Sequence, residues 1–107
     1  MSGSVIDVTA QTWQSEVINS EKLTLVDFWA EWCGPCRMLG PTLKAIQSDR
    51  DDVKIVKVDI EKESGVANQF RVSNIPFMVL FKNGQVVDQM LGNQPRKKIE
   101  DLISRNL

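Results

Sequence analysis

The chain has no histidine and only two cysteines in 107 residues. A structural zinc site takes four ligands, usually Cys or His, and an iron–sulfur cluster normally takes four thiolates. Two cysteines fall short of either count, and zinc would need carboxylates or a second chain to complete it, so no metal is expected. Charge of either sign is also not in excess. Thirteen Lys and Arg stand against fourteen Asp and Glu, a formal net charge of -1, which lacks the basic footprint of a nucleic-acid binder. No apolar run approaches the about 20 residues needed to span a bilayer, so no membrane partner is expected. There is no internal repeat, low-complexity tract or long linker. "MSGSVIDVTA" at the N-terminus has neither the charged n-region nor the apolar h-region of a signal peptide. A reducing, cytoplasmic setting is the expectation. Permanent disulfides are rare there, and a close cysteine pair is more often catalytic or metal-binding.

What is present is ordinary globular composition, 42% hydrophobic and 25% charged, with a length that suits one domain over residues 1–107. Two periodicities alternate along it. "VIDV" (5–8) reads as a short strand, and Trp13, Val17 and Ile18 at helical spacing predict a helix over 12–20. "LTLVDFWA" (23–30) is a dense apolar run that suits a central strand buried on both faces. Cys36, Leu39, Leu43 and Ile46 mark a helix from Cys33 to about Asp49. "VKIVKVDI" (53–60) alternates as a strand, Val66, Ala67 and Phe70 form a short helix, and "FMVLF" (77–81) is a further strand. "KNG" (82–84) supplies hairpin chemistry before "QVVDQML" (85–91). Pro95 suits the first turn of a last helix with Ile99, Leu102 and Ile103 on one stripe. Strands joined through helices pair in parallel, and the last two can form an antiparallel hairpin. An α/β fold with a mixed central sheet and helices on both faces follows.

Both cysteines lie in "WCGPC" (32–36). A disulfide closing so short a loop removes little chain entropy and would be a poor staple. A redox pair requires this closeness, because a second thiol must resolve the mixed disulfide formed by the first. C-x-x-C beside a βαβ pattern is the expected signature. Cys33 follows a buried strand and opens a helix, where free N–H groups and the macrodipole stabilise a thiolate. Cys33 is therefore expected to be the exposed nucleophile, and Cys36, one turn further in, the sheltered resolving thiol. Gly34 lets a backbone approach closely, and Pro35 stiffens the first turn at little cost.

Asp27 sits among Leu25, Val26, Phe28 and Trp29, so its carboxyl is expected to be desolvated and its pKa raised, which suits a proton acceptor for Cys36. Lys57 on the next strand either pairs with Asp27 or faces solvent; the alternation leaves both open. Trp29 is expected in the core and Trp32 as a partly exposed ring beside the site. Pro41 falls inside a helix, where it clashes with the carbonyl of residue 37 and has a structural role. "NIPF" (74–77) places a proline before a buried strand, and the residues alone leave its isomer open.

"LVDFWAEWCGPC" and "IPFMVLFKNG", with the order of elements, resemble the thioredoxin family from about Val5 to Leu107. The resemblance implies a five-stranded mixed sheet flanked by four helices. It implies a protein-disulfide reductase with Cys33 attacking, Cys36 resolving, Asp27 as the buried acid and Lys57 beside it. It further implies a cis bond at Pro76, backbone pairing of a target segment with Ile75, and a docking surface of Trp32, Gly34, Pro35, Ile75, Pro76 and Gly92. A thioredoxin reductase and disulfide-containing proteins would be the partners of a monomer with no tightly bound cofactor. Oxidases and isomerases on this scaffold usually carry a histidine between the cysteines, and glutaredoxins more often show "CPYC"; neither is present. A binding subunit using the same surface without turnover is the alternative. Three positions depart from the family pattern. Phe77 replaces a small residue, Asn93 stands where alanine is frequent, and Gly40 replaces a common helical alanine, which bears on substrate preference and on helix strength.

Overall fold

The computed structural model describes residues 3–107. Its elements are β1 (Ile6–Asp7), α1 (Gln14–Ile18), β2 (Leu23–Trp29), α2 (Gly34–Asp49), β3 (Val53–Asp59), α3 (Ser64–Gln69), β4 (Phe77–Lys82), β5 (Gln85–Leu91) and α4 (Arg96–Ser104). The five strands form one sheet in the order β1-β3-β2-β4-β5. β3 runs parallel to β1 and β2, while β4 is antiparallel to β2 and β5. This is the expected mixed sheet with four helices.

Alternation along the strands separates two apolar layers. Leu23 and Leu25 of β2 join Leu39, Leu43 and Ile46 of α2 and Ile99, Leu102 and Ile103 of α4 on one face. Val26 and Phe28 join Trp13, Val17, Val66 and Ala67 on the other, under α1 and α3. Trp13, Phe28, Phe70 and Phe81 form an aromatic group in the second layer, with ring centroids 5.3 to 6.5 Å apart. Trp13 is therefore the core tryptophan. Trp29, expected there, is only partly buried at the end of β2.

Helix α1 is shorter and wider than its spacing suggests. The Asn19 N–H bonds the carbonyl of Gln14 at 2.8 Å, closing an i→i+5 turn. Thr9 and Thr12 each accept the other's backbone N–H, a reciprocal helix-start cap, and the Glu16 N–H reaches the Thr12 carbonyl at 2.8 Å, so one ordinary turn leads into the wide one. Pro95 caps α4 from outside rather than entering its first turn. At the β4–β5 hairpin, Asn83 and Gly84 both have positive φ, and a Cβ on Gly84 would lie 2.9 Å from the Ile18 carbonyl oxygen. That close approach requires glycine.

Gln47 is a buried polar side chain on the apolar face of α2. β1 pairs with β3 only at Val56 and Lys57, which leaves the first part of that edge without a strand. Gln47 fills it: its Oε1 accepts the Ile55 N–H and its Nε2 donates to the Val53 carbonyl at 2.9 Å. One side chain thus replaces two rungs of the missing ladder. Gln47→Ala is expected to lower unfolding free energy by about 2–3 kcal/mol, read from the urea midpoint at unchanged m-value. Gln47→Leu keeps most of the volume and should not rescue it; a wild-type midpoint for that variant would refute the hydrogen-bond account.

Candidate active site

β2 is the middle strand, and its end delivers the sequence Ala30 to Cys36 to one edge of the sheet. The Cys33 N–H bonds the Ala30 carbonyl at 3.1 Å, which turns the chain into α2. Cys33 occupies the N-cap, Gly34 and Pro35 form the first helical positions, and the Cys36 N–H donates to the Cys33 sulfur at 3.2 Å. A sulfur here takes the place of the usual Ser or Asp cap oxygen and satisfies one of the free N–H groups of the helix. The two cysteines are joined as a disulfide, with Cα atoms 5.3 Å apart.

In this disulfide both residues are buried, Cys33 at 5% and Cys36 at 3% exposure. That corrects the expectation of an exposed Cys33. Ala30, Trp29, Ile60 and Ile75 pack around the pair. The Ile75–Pro76 peptide bond is cis, and the Ile75 carbonyl oxygen lies 3.9 Å from the Cys33 sulfur. The Pro76 carbonyl accepts the Gly92 N–H at 2.8 Å, and Gly92 holds φ +91°, a region glycine occupies freely. Ile75 thus faces the sulfur and Gly92 is tied to the cis proline beside it, while Trp32, Gly34 and Pro35 flank the cysteines in the chain. A Cβ at Gly34 would meet nothing within 4 Å, so that glycine answers no packing need within the chain. Trp32 is 68% exposed, and its indole N–H donates to Glu61 at 2.7 Å. Asp59 in turn accepts the Glu61 N–H at 2.9 Å.

Behind the disulfide, Asp27 is 3% exposed and its Oδ1 has no hydrogen-bond partner among the described residues. Burial pushes its carboxyl from 3.8 to about 7, against a smaller opposing pull from Lys57. The strand register sets three side chains in a row: Asp7 pairs with Lys57 across β1 and β3, and Lys57 with Asp27 across β3 and β2. The Lys57 ammonium lies 3.9 Å from Asp7 and 4.8 Å from the centre of the Trp29 ring. Lys57 is partly buried, so neither open alternative describes it fully: it is shared between carboxylates and an aromatic face. A cleft of about 320 Å³ is lined by Asp27, Cys36, Trp29, Lys57, Arg37 and Lys44, among others including Pro41. It connects the buried acid and the inner cysteine to solvent. Pro41 stands inside α2, where its missing N–H leaves the Arg37 carbonyl without its helical donor.

The sequence reading missed Asp7, Glu61 and Gln47. Gln47 had a signal, since it lies four positions after Leu43 on the apolar stripe. Asp7 and Glu61 had none, because their partners are fixed only by strand register and loop path. Among the described residues no three His, Cys, Asp or Glu side chains are placed to hold a metal ion, and no helix is long and apolar enough to cross a membrane.

A family model for thioredoxin matches residues 4–105. The chain belongs to the thioredoxin family. It is 40% identical to thioredoxin 2 of Chlorobaculum tepidum over 108 residues, covering 100% of this chain and 99% of that protein. It is 42% identical to thioredoxin 1 of Synechococcus elongatus, covering 94% of each. The crystal structure of Malassezia sympodialis thioredoxin superposes with a TM-score of 0.85 at 34% identity, over 98% of this chain and 93% of that one. Members of the family are thiol–disulfide oxidoreductases, and this chain is a dithiol–disulfide reductase whose redox pair is Cys33 and Cys36.

The raised carboxyl of Asp27 ties stability to pH. The folded chain holds the Asp27 proton more tightly than the unfolded chain does. The stabilisation is complete below pH 3.8 and is lost as pH rises to about 7. The shift corresponds to a loss on the order of 4 kcal/mol, at about 1.4 kcal/mol per pH unit. Asp27→Asn, neutral throughout, should therefore be clearly more stable than wild type at pH 9, with the advantage shrinking towards pH 4. Denaturation curves at the two pH values check this, and a constant difference between the proteins would contradict it.

Proposed function

We propose that Cys33 attacks and Cys36 resolves during reduction of disulfides in other proteins. The hydrogen bond from the Cys36 N–H to the Cys33 sulfur carries this reading. It supplies a donor, at a helix start, to negative charge on that sulfur and offers none to Cys36. The Cys33 thiolate attacks one sulfur of the target; the target S–S bond breaks, and its other sulfur leaves as a thiolate and takes a proton. The Cys36 thiol then gives its proton to ionised Asp27 and attacks Cys33. The mixed disulfide breaks, the second target thiolate leaves and takes a proton from water, and Asp27 releases its own proton to water through the cleft. The target gains two electrons, and the chain keeps the Cys33–Cys36 disulfide. A carboxyl near pH 7 can both accept and return that proton under neutral conditions.

A target segment docks in extended form on Trp32, Gly34, Pro35, Ile75, Pro76 and Gly92, and pairs with the backbone of Ile75. Lys57 limits how far the Asp27 carboxyl rises, with Trp29 as its aromatic support and Pro41 shaping the cleft wall. A thioredoxin reductase returns the pair to the dithiol. The chain works as a single-domain monomer in the cytoplasm, without a bound cofactor.

Cys36→Ser should accumulate covalent adducts with target proteins through Cys33, visible on non-reducing gels and released by dithiothreitol. Cys33→Ser should trap few and should lose insulin disulfide reduction. Equal trapping by both variants would refute the assigned roles, and full partner function in Cys33→Ser would favour the binding-subunit alternative. Asp27→Asn should form adducts at the wild-type rate but resolve them at least about tenfold more slowly near pH 7, as expected on losing a proton acceptor.

A further inference from the structure

Beside Pro76, away from Trp32, lies a cavity of about 130 Å³ lined by Arg71, Ser73, Asn74, Phe77 and Leu91. Phe77 and Leu91 pair across β4 and β5. They adjoin Pro76 and Gly92, whose backbones are bonded to each other, so the cavity continues the docking surface. Its floor is apolar. Leu91 is 51% exposed, and the Phe77 ring is backed by Phe28, with centroids 6.4 Å apart and planes 25° apart. Its rim is polar and exposed, and no acidic residue lines it.

Arg71 dominates that rim. It holds a φ of +53°, a conformation that L side chains rarely adopt. Its guanidinium has no ion pair or side-chain hydrogen bond among the described residues, as is also true of Arg37 at the cleft, whereas Arg50, Arg96 and Arg105 are each paired. The opposite end of the platform is acidic, because Glu61 sits against Trp32. A cation without an internal partner above an apolar floor suits a hydrophobic side chain next to a carboxylate. Reach agrees. The Ile75 carbonyl is 3.9 Å from the Cys33 sulfur, and Phe77 is two residues further. At about 3.3 Å per residue, a segment paired with Ile75 passes over Phe77 two or three residues from its attacked cysteine.

We propose that this cavity is a side-chain subsite that favours target disulfides flanked, two or three residues from the attacked cysteine, by an apolar residue adjoining Asp or Glu. The proposal rests on Ile75 and Pro76 being the docking platform.

The test uses the pre-reduced full chain and synthetic peptide disulfides carrying Leu-Asp or Leu-Lys, placed either before or after the cysteine. The readout is the ratio of second-order reduction rates, Asp peptide over Lys peptide, in low salt. For the favoured placement, wild type should give a ratio of about 3, typical of an exposed ion pair. Arg71→Gly suits the positive φ and should bring the ratio to about 1. Arg71→Glu should invert it, and Arg71→Lys should restore most of it. Raising salt should shrink the wild-type ratio. Phe77→Thr should slow the Leu-Asp peptide relative to a Ser-Asp peptide. A wild-type ratio of 1 or below at both placements, or a ratio unmoved by Arg71→Glu, overturns the subsite while leaving the reductase reading intact. A ratio that depends on protein concentration assigns the cavity to a second copy of the chain and also overturns it. A pre-reduced chain that reduces no peptide overturns both readings.

Discussion

β2 is hydrogen-bonded to β3 on one edge and to β4 on the other, and a helical layer covers each face. An ionisable side chain on such a strand is withdrawn from bulk water except where a cleft reaches it, as one does at Asp27. Leu23, Leu25, Val26 and Phe28 benefit from that burial, whereas Asp27 is penalised by it whenever it is charged. The strand cannot turn early without opening two cores, so it carries its chain to the sheet edge and releases it at Ala30. The cysteines are positioned by that exit. Cys33 caps the next helix, and the acid two positions before the strand's end lies behind them. The redox pair and the buried carboxyl are therefore placed by one doubly covered strand.

The disulfide then divides two environments with different chemistry. In front, the Ile75 carbonyl, the cis proline and the exposed Trp32 ring present backbone and apolar surface. Behind, the cleft holds Asp27 with Lys57, Lys44 and Arg37 around it. Desolvation opposes an ionised Asp27 and is the larger effect, while Lys57 favours it. Lys57 is drawn toward Asp7 and over the Trp29 ring, so among the described residues it moderates the acid without an ion pair to it. Recognition of a target and movement of a proton can thus proceed on opposite sides of one S–S bond.

Much of this was legible in the sequence because it rests on local periodicity and spacing. The run from Leu23 to Ala30 is dense enough to identify a central strand, and the four-residue C-G-P-C spacing together with the strand before it puts Cys33 at the helix start and Cys36 inside the helix. Asp27 stood out as an acid among apolar neighbours. What was not legible depends on register and on long-range packing. Trp13 and Trp29 are both aromatic residues in apolar context, and only the tertiary fold sends the first inward and the second to the cleft. Asp7 meets Lys57 because β1 and β3 pair at that register and no other. The exposure of Cys33 was misjudged because helix position reports the local field at a sulfur but not what packs on it from a loop more than forty residues away.

The burial of Cys33 bears on selectivity. The helix start favours the thiolate of Cys33, and an open thiolate would meet any disulfide in solution. Here Ala30, Trp29 and Ile75 cover the pair, and the space left open is over Gly34. Attack on a disulfide needs the incoming sulfur in line with the bond that breaks, and a misaligned approach loses rate steeply. A partner that lies along Ile75 can meet that demand, because pairing with a strand end fixes both its direction and its height above the sulfur. A partner that touches only Trp32 gains contact without alignment. Access restricted in this way makes the rate depend on the shape and charge of the residues beside the target cysteine, and on the proposed docking along Ile75 those residues pass Phe77, Arg71 and Leu91.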